Sequence, residues 1–225
     1  MKLPPRLEYV FSLTQTSRCT VDVGTDHGKL AAALALSGRA ERVIASDVNA
    51  GPLEKAKELV DRLGLNGRVE TRLTDGLNSL EDSGADQIII AGMGGELIAS
   101  IIDSAPWTRN SGVYLVLQPM TTSPELRRYL HAVGFRIERE GAVTEDGRPY
   151  EVLAVRFDGE SRNCSPEEAE IGGDFEGAED DVRALLIKKR NALEKRLIGA
   201  EKKSDGDSDL IKRLIGEINK RLEEE

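Results

Sequence analysis

The apolar positions of this chain change period repeatedly along its length. Leu7, Val10, Phe11 and Leu13 recur at helical spacing and predict a helix from Pro5 to about Thr16. Short β-rich runs then alternate with helical stretches. Strands are expected at "CTVDVG" (19–24), "RVIASD" (42–47), "RVETRLTD" (68–75), "ADQIIIAG" (85–92) and "SGVYLVLQP" (111–119). Helices are expected at "KLAAALALSG" (29–38), "GPLEKAKELVDRLG" (51–64), "GELIASIIDSA" (95–105) and "SPELRRYLHAVG" (123–134). Pro52 falls in a first turn, Gly38 and Gly64 close helices, and Ser123 is a good cap ahead of Pro124. The unbroken apolar run of "ADQIIIAG" suits a parallel strand covered on both faces. "FRIEREGAV" and "YEVLAVRFD" flank the turn "EDGRP" and predict an antiparallel pair. The alternation predicts a doubly wound, mostly parallel α/β sheet with an antiparallel edge over residues 1–158.

Beyond residue 158 the pattern changes character. Residues 159–177 are acidic and carry glycines, as a linker would. Val182, Leu185, Leu186, Leu193 and Leu197 mark one helix; Leu210, Ile211, Leu214, Ile215, Ile218 and Leu222 mark a second. With "KKSDGDSD" as the turn between them, residues 178–225 predict an antiparallel helical hairpin or coiled coil.

The aromatic content is only 4% against 39% hydrophobic residues, so Leu, Ile, Val and Ala must build the core. No apolar run approaches the ~20 residues of a membrane span, and "MKLPPRLEYV" lacks a secretion signal's core. Cys19 and Cys164 have no framework spacing and suggest reduced thiols in a cytoplasmic protein. Two histidines without a Cys/His cluster argue against a metal. The net charge of −9 is unevenly placed: residues 159–182 carry 1 Lys/Arg against 9 Asp/Glu, and residues 183–203 carry 8 against 2. Local potential decides whether a polyanion docks. Arg183, Lys188, Lys189, Arg190, Lys195, Arg196, Lys202 and Lys203 therefore form the candidate RNA-binding element, or else the solvated face of a hairpin serving assembly.

The chemistry should lie at the carboxyl ends of the strands. "VDVGTDHGKL" (21–30) begins like a nucleotide loop, with Gly24 and Gly28, yet places Asp26 and His27 where a dinucleotide loop has glycine. Asp47, 23 positions after Gly24, is spaced to grip ribose hydroxyls, and Asp75 before Gly76 offers an acceptor to an adenine amino group. A pyrophosphate beside Asp22 and Asp26 would meet like charge. The ammonium and sulfonium of S-adenosylmethionine are favoured there instead. Asp26 could equally cap the next helix. Gly92, Gly94 and Gly95 let backbone approach a ligand at the fourth strand's end. The Asn/Asp-Pro-Pro-aromatic motif of exocyclic-amine methylation is absent, whereas a ring nitrogen can react chiefly through alignment.

In order, "DVGTDHGKL", "ASDVNAGPLEKAK", "RLTDGL", "AGMGGELI", "LQPM" and "YEVLAV" closely resemble the bacterial tRNA (adenine(22)-N1)-methyltransferases over roughly residues 4–157. The hairpin is similar to that family's C-terminal coiled coil. The resemblance implies a Rossmann-like class I methyltransferase fold with a seven-stranded sheet, S-adenosylmethionine as cofactor, and tRNA as the partner methylated at adenine N1 in its D-arm. It implies cofactor contacts from Asp22, Gly24, Thr25 and Asp26, from Asp47 and Val48 at the ribose, and from Asp75 and Gly76 at the adenine. Gly92, Met93 and Gly94 would lie between cofactor and acceptor. His27, Lys29 and Met93 are the candidates nearest the chemistry. The family usually has Asp-His-Ala-Tyr-Leu-Pro where this chain has "DHGKLA", so Lys29 replaces an aromatic that could stack on the target base, and Ala31 replaces proline.

Competing readings remain at this level: a methyltransferase of another RNA base, a small molecule or a protein; a catalytically weak RNA-binding homologue; and, disfavoured by Asp26, a nicotinamide oxidoreductase. His27 could orient the base, help deprotonate the product or be structural, and Lys29 could contact RNA phosphate or stay solvated. A monomer is the favoured assembly.

Overall fold

The computed structural model describes residues 1–203 and 207–224. Its elements run α1 (Pro5–Leu13), β1 (Ser17–Val23), α2 (Lys29–Leu36), β2 (Ala40–Asp47), α3 (Ala50–Leu63), β3 (Val69–Leu73), β4 (Gln87–Gly94), α4 (Gly95–Asp103), β5 (Tyr114–Thr121), α5 (Ser123–Val133), β6 (Phe135–Glu145) and β7 (Arg148–Phe157). Three more helices follow: α6 (Pro166–Glu170), α7 (Glu179–Lys203) and α8 (Ser208–Glu224). The seven strands lie in the order β3-β2-β1-β4-β5-β7-β6. Pairings from β3 through β5 are parallel; β5–β7 and β7–β6 are antiparallel. The order reverses between β1 and β4, so the loops after these two strands open side by side at the place where such sheets take ligands.

The period-two logic of a strand is clearest in β4. Ile88 and Ile90 pack with Ile98, Ile102, Leu126 and Leu130 beneath α4 and α5. Ile89 points the other way, into Val10, Leu34 and Val60 beneath α1, α2 and α3. All three isoleucines are fully buried, each adding roughly 1.5–3 kcal/mol relative to exposure. Helix α1 stops at Leu13, short of the expected Thr16, because Thr14 turns extended and Ser17 already bonds to Arg39 O at the start of β1.

The acidic segment 159–177 is more ordered than a free linker. It holds α6, opened by a reciprocal Ser165–Glu168 capping box. The Ala142 N–H donates to Glu176 O and the Tyr9 hydroxyl to the same carbonyl, fastening the segment to the sheet edge.

The hairpin forms a third core, with Val182, Leu185, Leu186 and Leu193 of α7 against Ile211, Leu214 and Ile218 of α8. The expected turn at 202–209 falls partly on residues 204–206, outside the described residues, as does the Lys203 side chain. Several cations of α7 have partners within the fold. Lys189, its side chain 10% exposed, lies 3.1 Å from Glu151 of β7. Lys188 donates to Pro149 O, Arg190 to Asn219 of α8, Arg196 to Glu170 of α6, and Arg183 to Leu222 O. These side chains dock the hairpin on itself and on the sheet, so most of the charge assigned to RNA is already spoken for. Of the residues singled out for RNA, Lys195 and Lys202 stay exposed without such a partner.

Candidate active site

Backbone geometry shapes the loop after β1. The N–H groups of Gly24 and Thr25 both donate to Ser46 O, at 2.8 and 2.9 Å, folding the loop over the end of β2. Gly24 has φ +70, and a β-carbon there would strike the Met93 methyl. Gly28 has φ +69, and its missing side chain lets Ala56 of α3 pack directly on the loop. Gly28 itself is the N-cap of α2, with no side-chain cap, so Asp26 does not cap that helix.

Two cavities flank Gly24, Ala91 and Gly92. The first, about 260 Å³, is lined by Arg6, Leu7, Asp22, Thr25, Asp26 and Leu30. The second, about 270 Å³, is lined by Asp47, Val48, Asn49, Thr74, Asp75, Gly76, Met93, Leu97 and Ile101. One lobe therefore offers a cation and two carboxylates within one small space. The other offers two carboxylates and an apolar lining, with Val48 61% and Leu97 53% exposed although apolar. Gly76 at φ +58 is needed where Ile101 crowds to 3.2 Å of the position of a β-carbon.

Asp22 is the electrostatic centre of the first lobe. It is 3% exposed, and burial pushes its carboxyl up to about 6, against the opposing hydrogen bonds from the Thr25 hydroxyl (2.6 Å) and the Ala31 N–H. Among the described residues, no cation lies within ion-pair distance of it. At neutral pH it is mostly an uncompensated carboxylate, a place where a ligand's ammonium gains the most.

Arg6 and Gln118 were not singled out from sequence. Gln118, fully buried on β5, accepts from Gly92 N–H at 3.0 Å and from the Arg6 guanidinium at 2.7 Å. Arg6 is also held by Glu145, 3.6 Å away. The only sequence signal for Gln118 is its place in "LQPM" at a strand end; Arg6 carried none.

The structure brings Asp22, Gly24, Thr25 and Asp26 together in the first lobe and Asp47, Val48, Asp75, Gly76 and Met93 in the second, with Gly92 between. Gly94 lies outside both. With Gly95 it makes a tight strand-to-helix junction against Thr121 and Thr122, where any side chain on Gly95 would collide with Thr122 O. His27 and Lys29 also lie outside both lobes. His27 Nδ1 sits 2.7 Å from Asp26 Oδ2, and His27 and Lys29 line a separate depression toward α3. Among the described residues, no group of three His, Cys, Asp or Glu could hold a metal, and no helix is long and apolar enough to cross a membrane.

Residues 3–153 match a family model described as a methyltransferase domain. A tRNA (adenine(22)-N(1))-methyltransferase of Bacillus subtilis is 34% identical over 155 residues, 69% of this chain and 65% of that protein, just under two thirds of its length. A putative tRNA methyltransferase of Mycoplasma pneumoniae is 30% identical over 202 residues, 88% of this chain and 91% of that protein. Among solved structures, a putative tRNA (m1A22) methyltransferase of Streptococcus pneumoniae, in complex with S-adenosyl-L-methionine, is 29% identical with a TM-score of 0.76. The match covers 96% of this chain and 98% of that one. The chain belongs to the methyltransferase-domain family.

Proposed function

We propose that this protein transfers a methyl group from S-adenosylmethionine to N1 of an adenine in the D-arm of tRNA, the adenine at position 22. The observation that carries the reading is the pair of joined lobes. One matches an amino-acid zwitterion, with Arg6 for a carboxylate and Asp22 for an ammonium. The other matches an adenosine, with Asp47 for ribose hydroxyls, Asp75 for the adenine amino group, and Val48, Leu97 and Ile101 for its ring faces. When bound, the cofactor would supply an electrophilic methyl group, its C–S bond breaking as the N1 lone pair forms the new N–C bond and the neutral thioether leaves.

The chain's own work is then placement. Gln118 locks Gly92 and Arg6 into one unit, so the strand end that faces the acceptor and the carboxylate anchor move together. Met93, over Gly24, lies where the two lobes meet. Adenine N1 is uncharged and nucleophilic without deprotonation, so alignment and exclusion of water suffice and no general base is required. Access to N1 needs the base unpaired or swung out of its stack. Residues 1–158 carry this chemistry, and the hairpin of residues 178–225, joined through 159–177, braces its β6–β7 edge.

Incubation with unmodified total tRNA and methyl-labelled cofactor, followed by nucleoside analysis, tests the reading. The expected product is 1-methyladenosine at one D-arm position. Label in another nucleoside, or only in protein, would overturn the substrate; no cofactor binding by calorimetry would overturn the reading altogether.

A further inference from the structure

Beside the cofactor loop lies a second depression of about 320 Å³, lined by Met1, Lys2, His27, Lys29, Lys55, Glu58, Leu59 and Arg62. Four cations line it against one carboxylate. Lys55, Glu58, Leu59 and Arg62 recur at helical spacing on one stripe of α3. The Gly28–Ala56 contact brings that stripe against the loop, and Lys55 Nζ lies 3.4 Å from His27 Nε2. Among the described residues, Lys2, Lys29 and Arg62 have no carboxylate within ion-pair distance and no hydrogen-bond partner. Unlike Arg183, Lys188, Lys189, Arg190 and Arg196 of α7, these have no structural task in the fold.

Position matters as much as charge. Asp26 lines the first lobe and its neighbour His27 lines this depression, the two joined by their 2.7 Å contact. A base presented to the lobes would carry its sugar–phosphate past this rim. We propose that Lys2, Lys29 and Arg62 form a phosphate-binding site that holds the RNA backbone next to the target nucleotide. The inference rests on tRNA being the substrate. Lys29, at the position where the family resemblance implies an aromatic, here grips backbone rather than base.

The test is the full-length Lys2→Gln/Lys29→Gln/Arg62→Gln variant beside the wild-type protein. Fluorescence anisotropy with unmodified tRNA should show affinity about tenfold or more weaker. The plot of log affinity against log salt should be shallower by about 2 to 3. The KM for tRNA should rise while cofactor affinity, measured by calorimetry, stays the same and reports an intact fold. Equal tRNA affinity and equal salt slopes in the two proteins would overturn the site even if both methylate tRNA normally. Displacement of tRNA from the wild type by polyglutamate at matched charge would overturn it in favour of an acidic protein partner. A wild-type protein that binds tRNA at this patch yet transfers no methyl to it would sink the proposed activity and leave the patch standing.

Discussion

The seam between hairpin and sheet and the cradle at the strand ends both bury charge, and they treat it in opposite ways. At the seam, Arg127 of α5 is 2% exposed and bonds Glu140 and Glu151, while Lys189 approaches Glu151 from α7. Burial alone would push the Glu151 carboxyl up, but Lys189 and Arg127 outweigh it and hold it well below the usual carboxylate range. In the cradle, Asp22 is just as buried and has no cation, and its carboxyl rises to about 6. Charges that the fold compensates at the seam are structural, whereas in the cradle Arg6, oriented by Glu145, and the uncompensated Asp22 line the lobe that takes a ligand. A similar distinction separates the docked Arg183, Lys188, Lys189, Arg190 and Arg196 of α7 from Lys2, Lys29 and Arg62.

The strongest way to break this contrast is at the seam. Arg127→Met would leave Glu140 without its ion pair and Glu151 with Lys189 alone, and urea unfolding should show a loss of about 3–5 kcal/mol. Unfolding unchanged within error would mean that water, rather than Arg127, satisfies those carboxylates. The cost should also grow as pH rises above the carboxylate range, because the stranded groups then ionise.

In the cradle the sign reverses. Asp22 has a folded pKa above its unfolded value, so its contribution to stability is complete below about pH 4 and is lost as pH rises through about 6. Asp22→Asn should therefore stabilise the free protein by up to about 3 kcal/mol above pH 6, while weakening cofactor binding. Thermal melts across pH 4 to 7, in the absence of cofactor, check this. A mutant melting with the wild-type pH profile would remove Asp22 from the comparison.

Asp47→Ala comes next. Losing a charged acceptor for ribose hydroxyls should weaken cofactor binding by about 1.5–3 kcal/mol, roughly 10- to 150-fold, as measured by calorimetry. Unchanged affinity would refute the ribose assignment. The smallest effect is expected on the hairpin's exposed face: Lys195→Gln should alter stability by less than about 0.5 kcal/mol. It should also alter the KM for tRNA by less than about twofold. A large rise in that KM would return part of the RNA interface to α7.

Much of the architecture was legible in the chain because it is encoded locally. Apolar alternation in "ADQIIIAG", helical spacing in "GPLEKAKELVDRLG" and glycines at strand ends each act through neighbouring residues. Asp22, Asp47 and Asp75 could be found because, in this fold, strand ends converge on one edge. Arg6 could not be found, since it has no local signature and its partner Gln118 is 112 residues away. Nor could the fate of Lys188, Lys189, Arg190 and Arg196. A run of cations specifies charge, whereas the carboxylates and carbonyls that occupy them come from β7, α6 and α8. The sequence by itself determined the order and type of the elements and which carboxylates crown the sheet, through short-range sterics and periodic burial. Only the tertiary structure decided which charges are neutralised within the fold and which remain for a ligand, because that depends on contacts between residues far apart in the chain.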